Sequence, residues 1–139
     1  YYLCILKTKH KHASHSKYLI KFHIIFVVKY RKELLVEKID SDMKQIFFEV
    51  AQQKEFVIET METEKNHIHL LVDVKPTQSA FDIIHPLKCI STFRIYKLHK
   101  QELKKHFWKE NTFWSDGYFA CSTGDASTEI IRKYIEQQG

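Results

Sequence analysis

Two histidines separated by a single isoleucine, His67-Ile68-His69, lie inside the strand-like run Asn66-His67-Ile68-His69-Leu70-Leu71-Val72. A strand alternates its side chains, so both imidazoles project from one face, about 7 Å apart along the backbone. Ile68, Leu70 and Val72 project from the other face, where a core can take them. Two imidazoles on a rigid support can converge on one divalent cation. The same spacing also fits two histidines that decorate the wet face of an antiparallel strand. A second group of residues stands near the C-terminus, where Ile130, Ile131, Tyr134, Ile135 and Gln138 fall on one helical stripe. Asp125 or Ser127 can cap that helix, and Glu129 suits the positive end of its dipole. Tyr134 and Gln138 are one turn apart, about 6 Å along the axis. A buried core tyrosine and a solvated terminal glutamine would fit this pattern. An apolar stripe ending in a phenol and an amide is nonetheless unusual for a helix that only packs.

These groups need elements to hold them. Residues 18–30 alternate as a long strand, with Phe22, Ile24, Phe26 and Val28 on one face and His23, Ile25 and Val27 on the other. Val36, Ile39, Met43, Ile46, Phe47 and Val50 form a helix stripe. Residues 55–62 and 66–74 read as a hairpin turning at Thr63-Glu64-Lys65. Ser79 can cap a helix with the stripe Ile83, Ile84, Leu87, Ile90 and Ile95, which Pro86 should break or kink near His85, or whose longer second part it should start. Residues 100–106 suggest a short exposed helix, and 117–122 a last strand before the helix of Tyr134. The order is βαββαβ plus a terminal helix. That predicts an α+β, ferredoxin-like (RRM-like) antiparallel sheet with helices on one face. The strand of His67 and His69 should be central. Such a fold does not fix a function.

At 139 residues the chain reads as a single domain, 18–139, preceded by a basic segment, 1–17. Its 10 Phe and 7 Tyr require a packed core and exclude a disordered tail. The net charge of +5 is weighted toward the N-terminal end, through Lys7, Lys9, Lys11, Lys17, Lys21, Lys29, Arg31 and Lys32. Lys17, Lys21, Lys29, Arg31 and Lys32 are the candidate DNA-phosphate contacts; a solvated face is the alternative. Cys4, Cys89 and Cys121 are odd in number and widely spaced, which suits buried thiols in a reducing, cytoplasmic compartment. No run approaches the ~20 apolar residues of a membrane span. Tyr1-Tyr2-Leu3-Cys4-Ile5-Leu6 lacks the charged lead and cleavage site of a signal peptide.

Five blocks in order resemble the TnpA-type single-tyrosine HUH transposases, which mobilise insertion sequences as single-stranded DNA. They are Phe22-His23-Ile24-Ile25-Phe26-Val27-Val28-Lys29-Tyr30-Arg31-Lys32, the run around His67 and His69, Leu87-Lys88-Cys89-Ile90-Ser91-Thr92, Phe113-Trp114-Ser115-Asp116-Gly117-Tyr118-Phe119, and Tyr134-Ile135-Glu136-Gln137-Gln138. The resemblance spans the chain from about Tyr18 onward. Cys89 replaces a usual glycine, and Glu64-Lys65-Asn66 replaces a Pro-Asp or Pro-Asn lead-in.

The resemblance implies Tyr134 as nucleophile and His67, His69 and Gln138 as ligands of Mg or Mn. Glu64 could add a carboxylate or remain an exposed turn residue. His23 could face the site or serve as a hydrogen-bonded structural histidine. The implied partners are single-stranded DNA with hairpin ends and a second copy of the chain. In that homodimer Tyr134 could serve the other subunit's His pair, with Gly124 as hinge; the open edge of an antiparallel sheet makes residues 18–30 the candidate contact between subunits. Two alternatives belong to other classes. A replication-initiator or relaxase-type nickase shares the chemistry in larger chains. A non-enzymatic ferredoxin-like nucleic-acid-binding module would instead expose aromatics on the central strands for stacking.

Overall fold

The computed structural model describes residues 5–7, 18–122 and 128–138. They form β1 (Ile5–Lys7), β2 (Tyr18–Val27), α1 (Glu37–Lys54), β3 (Val57–Glu64), β4 (His67–Val74), α2 (Ala80–His106), β5 (Phe119–Ser122) and α3 (Thr128–Gln137). The strands run β3-β4-β2 across one antiparallel sheet, and β5 and β1 share the remaining edge of β2. Without the short β1, this is the expected ferredoxin-like sheet, and β4 is an inner strand. β1 lies in the segment read from sequence only as a basic extension.

Ile20, Phe22, Ile24, Phe26 and Val28 of β2 meet Ile68, Leu70, Val72 and Val74 of β4 on one face. The stripe of α1 (Ile39, Met43, Ile46, Phe47, Val50) and Ile83, Ile84, Leu87 and Ile95 of α2 close over them. Each such side chain contributes roughly 1.5–3 kcal/mol of burial, so this face holds the sheet rigid. The opposite face of the two central strands presents His67, His69 and Leu71 on β4 and His23, Ile25 and Val27 on β2. The rings on this face of the two strands are the imidazoles of His23, His67 and His69, and no Phe, Tyr or Trp of β2 or β4 stands there as a stacking platform.

Residues 18–30 are not the free contact strand that the sequence suggests. β4 takes one edge of β2; β1, β5 and the segment at 113–115 take the other. Ile25 and Val27 are fully buried, as are Ile24 and Phe26 on the other side. A strand apolar on both faces belongs inside a sheet. It also ends at Val27, and a tight turn follows with Tyr30 (φ 61°) and Arg31 (φ 51°) in the left-handed region. The outer strand is β3, guarded by an irregularity between Ile58 and Thr60 and by exposed Glu59, Glu62 and Glu64.

Pro86 does not break α2. The helix starts at a capping box between Ser79 and Asp82 and runs on through the proline, because buried Ile83, Ile84 and Leu87 hold both sides against the sheet. The irregular point is His99 (φ −133°, ψ 35°), whose Nε2 lies 2.7 Å from Asp42 Oδ2 on α1. Residues 100–106 continue past it, anchored by buried Leu103. Cys121 is buried as expected, but Cys89 is exposed beside His85. No helix among the described residues is long and apolar enough to cross a membrane.

Candidate active site

The turn between β3 and β4 is two residues long, Lys65-Asn66, and starts two positions later than the sequence pattern suggests. β3 therefore runs on to Glu64, which lies directly opposite His67, with Glu62 directly opposite His69. Directly opposed residues point to the same side of a sheet. Both carboxylates therefore join the histidines on the open face, with Glu64 no longer a turn residue. His23 joins them from β2. Its Nδ1 lies 2.9 Å from His69 Nε2, and the two rings are 5.1 Å apart. The two readings of His23 are thus both met: it faces the site, and it is hydrogen-bonded there.

Each imidazole is oriented by a neighbour. His67 Nδ1–H donates to Asn66 Oδ1 at 2.8 Å, which fixes the tautomer and leaves Nε2 with a lone pair. Burial depresses the His67 pKa against the pull of Glu64. It depresses His69 too, against Glu62 and with help from His67. Both rings are thereby kept neutral near pH 7, the form that can bind a metal. Among the described residues no three His, Cys, Asp or Glu side chains converge tightly enough to hold an ion. A ligand set on this face needs a different third donor, and the amide of Gln138 has the right chemistry. Two neutral imidazoles and an amide oxygen are donor types that suit a divalent metal.

Helix α3 lies on this same open face. Tyr134 packs on Phe119, ring centroids 5.6 Å apart, and Phe119 is the register partner of Ile25, which in turn pairs with His69. Arg31 Nη1 donates to the Glu136 carbonyl at 2.9 Å, a cation on the negative end of the helix. The Tyr134 hydroxyl is buried and has no hydrogen-bond partner among the described residues. Burial, and behind it Tyr118, pushes its pKa well above the ordinary value near 10. Tyr134 and Gln138 meet at Gly117, where a Cβ would stand 3.1 Å from Gln138 Oε1 and 3.5 Å from the Tyr134 hydroxyl. The His pair on β4 and the tyrosine over β5 are separated by β2, about 10 Å in strand spacings.

Gly117 and Lys88 were not singled out by the sequence. Lys88 Nζ donates to the carbonyls of Ser115, Asp116 and Gly117, at 2.8, 3.0 and 3.4 Å, and so fixes the loop against which the tyrosine rests. Burial lowers its pKa, with Asp116 opposing. Gly117→Ala is expected to displace the Gln138 amide by a few tenths of an ångström. Misplacement on that scale should slow any reaction that uses both groups roughly tenfold, since about 1 Å can cost a hundredfold. Single-turnover rates check this, and a parental rate would show that the close approach is idle.

The basic candidates divide. Lys17 lies outside the described residues, as do Asp125, Ser127 and Gly124. Lys21 is held by Glu59 and by Asp73 at 2.7 Å, and Lys29 by Glu110 at 3.2 Å. Arg31 secures α3 as described, and Lys32 sits on the turn leading out of β2.

Comparison with known proteins agrees with this architecture. Residues 16–138 match the family described as "Transposase IS200 like". The chain is 32% identical over 134 residues to the ISDra2 transposase TnpA of Deinococcus radiodurans, covering 96% of this chain and 94% of that protein. It is 27% identical over 128 residues to the transposase for insertion sequence element IS200 of Salmonella typhimurium, covering 92% and 82% of the two chains. A crystal structure of a Deinococcus radiodurans R1 protein described as a transposase superposes with a TM-score of 0.81 at 25% identity, over 94% of this chain and 98% of that one. With the match running through all three helices and all strands from β2 onward, the chain belongs to the IS200-like transposase family.

Proposed function

We propose that this transposase cuts and rejoins single-stranded DNA at insertion-sequence ends through a covalent 5′-phosphotyrosine on Tyr134. The observation that carries the reading is the Tyr134 hydroxyl, buried with no hydrogen-bond partner among the described residues and beside the Gln138 amide, on the sheet face that bears His67 and His69. A structural tyrosine would pair that hydroxyl. A nucleophile awaiting its phosphate would not.

The Tyr134 oxygen attacks the scissile phosphorus and the bond from phosphorus to the 3′-oxygen breaks. The phenol proton is released, and the departing oxygen becomes a 3′-hydroxyl by taking up a proton. The 5′-phosphate stays on Tyr134. Attack by a second 3′-hydroxyl reverses the step, restores the phenol and joins new ends, so no external energy source is required. Mg or Mn bound by His67, His69 and Gln138 would neutralise a non-bridging phosphate oxygen. Asn66 and His23 orient the two imidazoles, and Glu62 and Glu64 add negative charge to the same face. Lys88 and Gly117 set the tyrosine and amide relative to the sheet.

The test is a single-stranded oligonucleotide with a subterminal hairpin, labelled on the 3′ side of the cut and run on a denaturing gel. Labelled protein is expected with single-stranded DNA and Mg or Mn, and not with duplex. Label only when placed on the 5′ side would reverse the polarity and defeat the proposal.

Each chain has one such tyrosine and an element has two ends, so the working unit is a homodimer. Mixing a Tyr134→Phe chain with a His67→Ala, His69→Ala chain shows which subunit supplies the nucleophile. Regained cleavage is expected if Tyr134 serves the partner's His pair. With both groups supplied by one chain, every site in the mixed dimer is defective.

A further inference from the structure

Helix α2 turns Phe93, Lys97, Lys100 and Lys104 into a groove of about 790 Å³. All four line the same groove, on both sides of the irregular point at His99. Phe93 is 63% exposed, so the face of its ring is open to a ligand in the groove. Lys97 Nζ stands 4.7 Å from its ring centre. Lys97, Lys100 and Lys104 form no ion pair with any described residue, in contrast to Lys21 and Lys29. The facing wall is built: the Tyr96 hydroxyl donates to the carbonyls of Glu110 (3.1 Å) and Thr112 (2.8 Å), and Lys88 ties down 115–117. Asp116, the one carboxylate on the lining, lies 3.9 Å from Lys29. The loop that closes the groove presents Gly117 to Tyr134.

We propose that this groove carries a single-stranded stretch of the DNA substrate, with a base stacked on Phe93 and successive phosphates on Lys97, Lys100 and Lys104. Cations alone would serve any polyanion. An exposed aromatic beside free lysines fits unpaired bases, whose faces are available for stacking. The inference rests on the single-stranded substrate proposed above and extends it to a surface that the sequence candidates Lys17 to Lys32 do not include.

The test uses full-length protein, a short unstructured oligonucleotide and fluorescence anisotropy at several salt concentrations. Exchanging three charges, Lys97→Gln, Lys100→Gln and Lys104→Gln, should weaken binding and flatten the log–log salt slope by about 2. Phe93→Ala should weaken binding roughly tenfold with the slope unchanged. All four side chains are exposed, so melting temperatures should match the parent. Parental affinity and slope in the triple variant would overturn the groove and leave the tyrosine chemistry standing. Failure of the parent itself to bind would overturn both. A change in mass by light scattering with DNA affinity intact would assign the groove to a protein contact and also overturn the inference. Lost binding in the triple variant, with a parent that binds the oligonucleotide but forms no tyrosine adduct, would keep the groove and remove the chemistry.

Discussion

Tyr134→Phe is expected to abolish the covalent protein–DNA adduct while leaving the protein at least as stable as the parent. The substitution removes one atom, and that atom makes no hydrogen bond among the described residues. A buried hydroxyl without a partner costs about 1–3 kcal/mol. Its removal should raise stability by about 1 kcal/mol, which for a chain of this size lifts Tm by roughly 3 °C. The ring keeps its packing on Phe119, 5.6 Å away. Binding to single-stranded DNA should persist, because the phenol supplies no charge. Most substitutions at buried positions lower stability and lower activity together. A variant that is inactive and more stable identifies a group retained for chemistry. An adduct formed by the Phe variant would assign the nucleophile elsewhere.

The same hydroxyl sets the pH dependence. Burial and Tyr118 raise its pKa, so the neutral phenol is favoured in the fold. Below pH 10 the group is protonated in both folded and unfolded chains, and stability is unaffected. Above pH 10 the unfolded chain ionises first, and stability falls as pH rises toward the folded value. Cleavage should move the opposite way and accelerate with pH between about 6 and 9, as the scarce phenolate becomes more common. Single-turnover cleavage across that range checks the sign. A rate that falls with rising pH would contradict attack by Tyr134.

The sheet was legible because its core face alternates so regularly. Phe22, Ile24 and Phe26 alternate with His23 and Lys21, and Ile68, Leu70 and Val72 with His67 and His69. The Ser79 cap was equally legible, since its Asp82 partner stands three residues on. The hairpin register was not. Thr63, Glu64 and Lys65 are all polar, so composition cannot tell a turn from an exposed edge strand. Where the turn begins, at Thr63 or at Lys65, decides whether Glu64 is a turn residue or the partner of His67. Pro86 misled for a different reason: tertiary packing of Ile83, Ile84 and Leu87 outweighs one lost backbone hydrogen bond. Lys21 and Lys29 carry charge in the sequence and no hint of Asp73 or Glu110, 52 and 81 residues away. Ion pairing across a sheet is invisible until register is known. Gly117 and Lys88 escaped because their roles are close approach and loop anchoring, which leave no periodic trace.

His67→Ala and His69→Ala should each remove cleavage and weaken Mn binding by more than about 100-fold. Disturbing a partner that merely orients a ligand can already cost 10- to 100-fold, and the loss of a ligand should exceed that. The two variants should differ in stability. His67 leaves behind only the Asn66 amide, which is half-buried and can turn to water. His69 leaves the Nδ1 of His23 unpaired on the same face, 2.9 Å from where it was satisfied. His69→Ala is therefore expected to melt lower than His67→Ala by roughly 1 kcal/mol. Gln138→Ala should be the mildest, about tenfold in affinity, because an amide oxygen is a weaker donor than an imidazole and water can replace it. Calorimetric titration with Mn separates the three without reference to activity. If the double histidine variant bound Mn as the parent does, the metal would belong to another part of the molecule. The buried tyrosine would then need a different means of neutralising the phosphate it attacks.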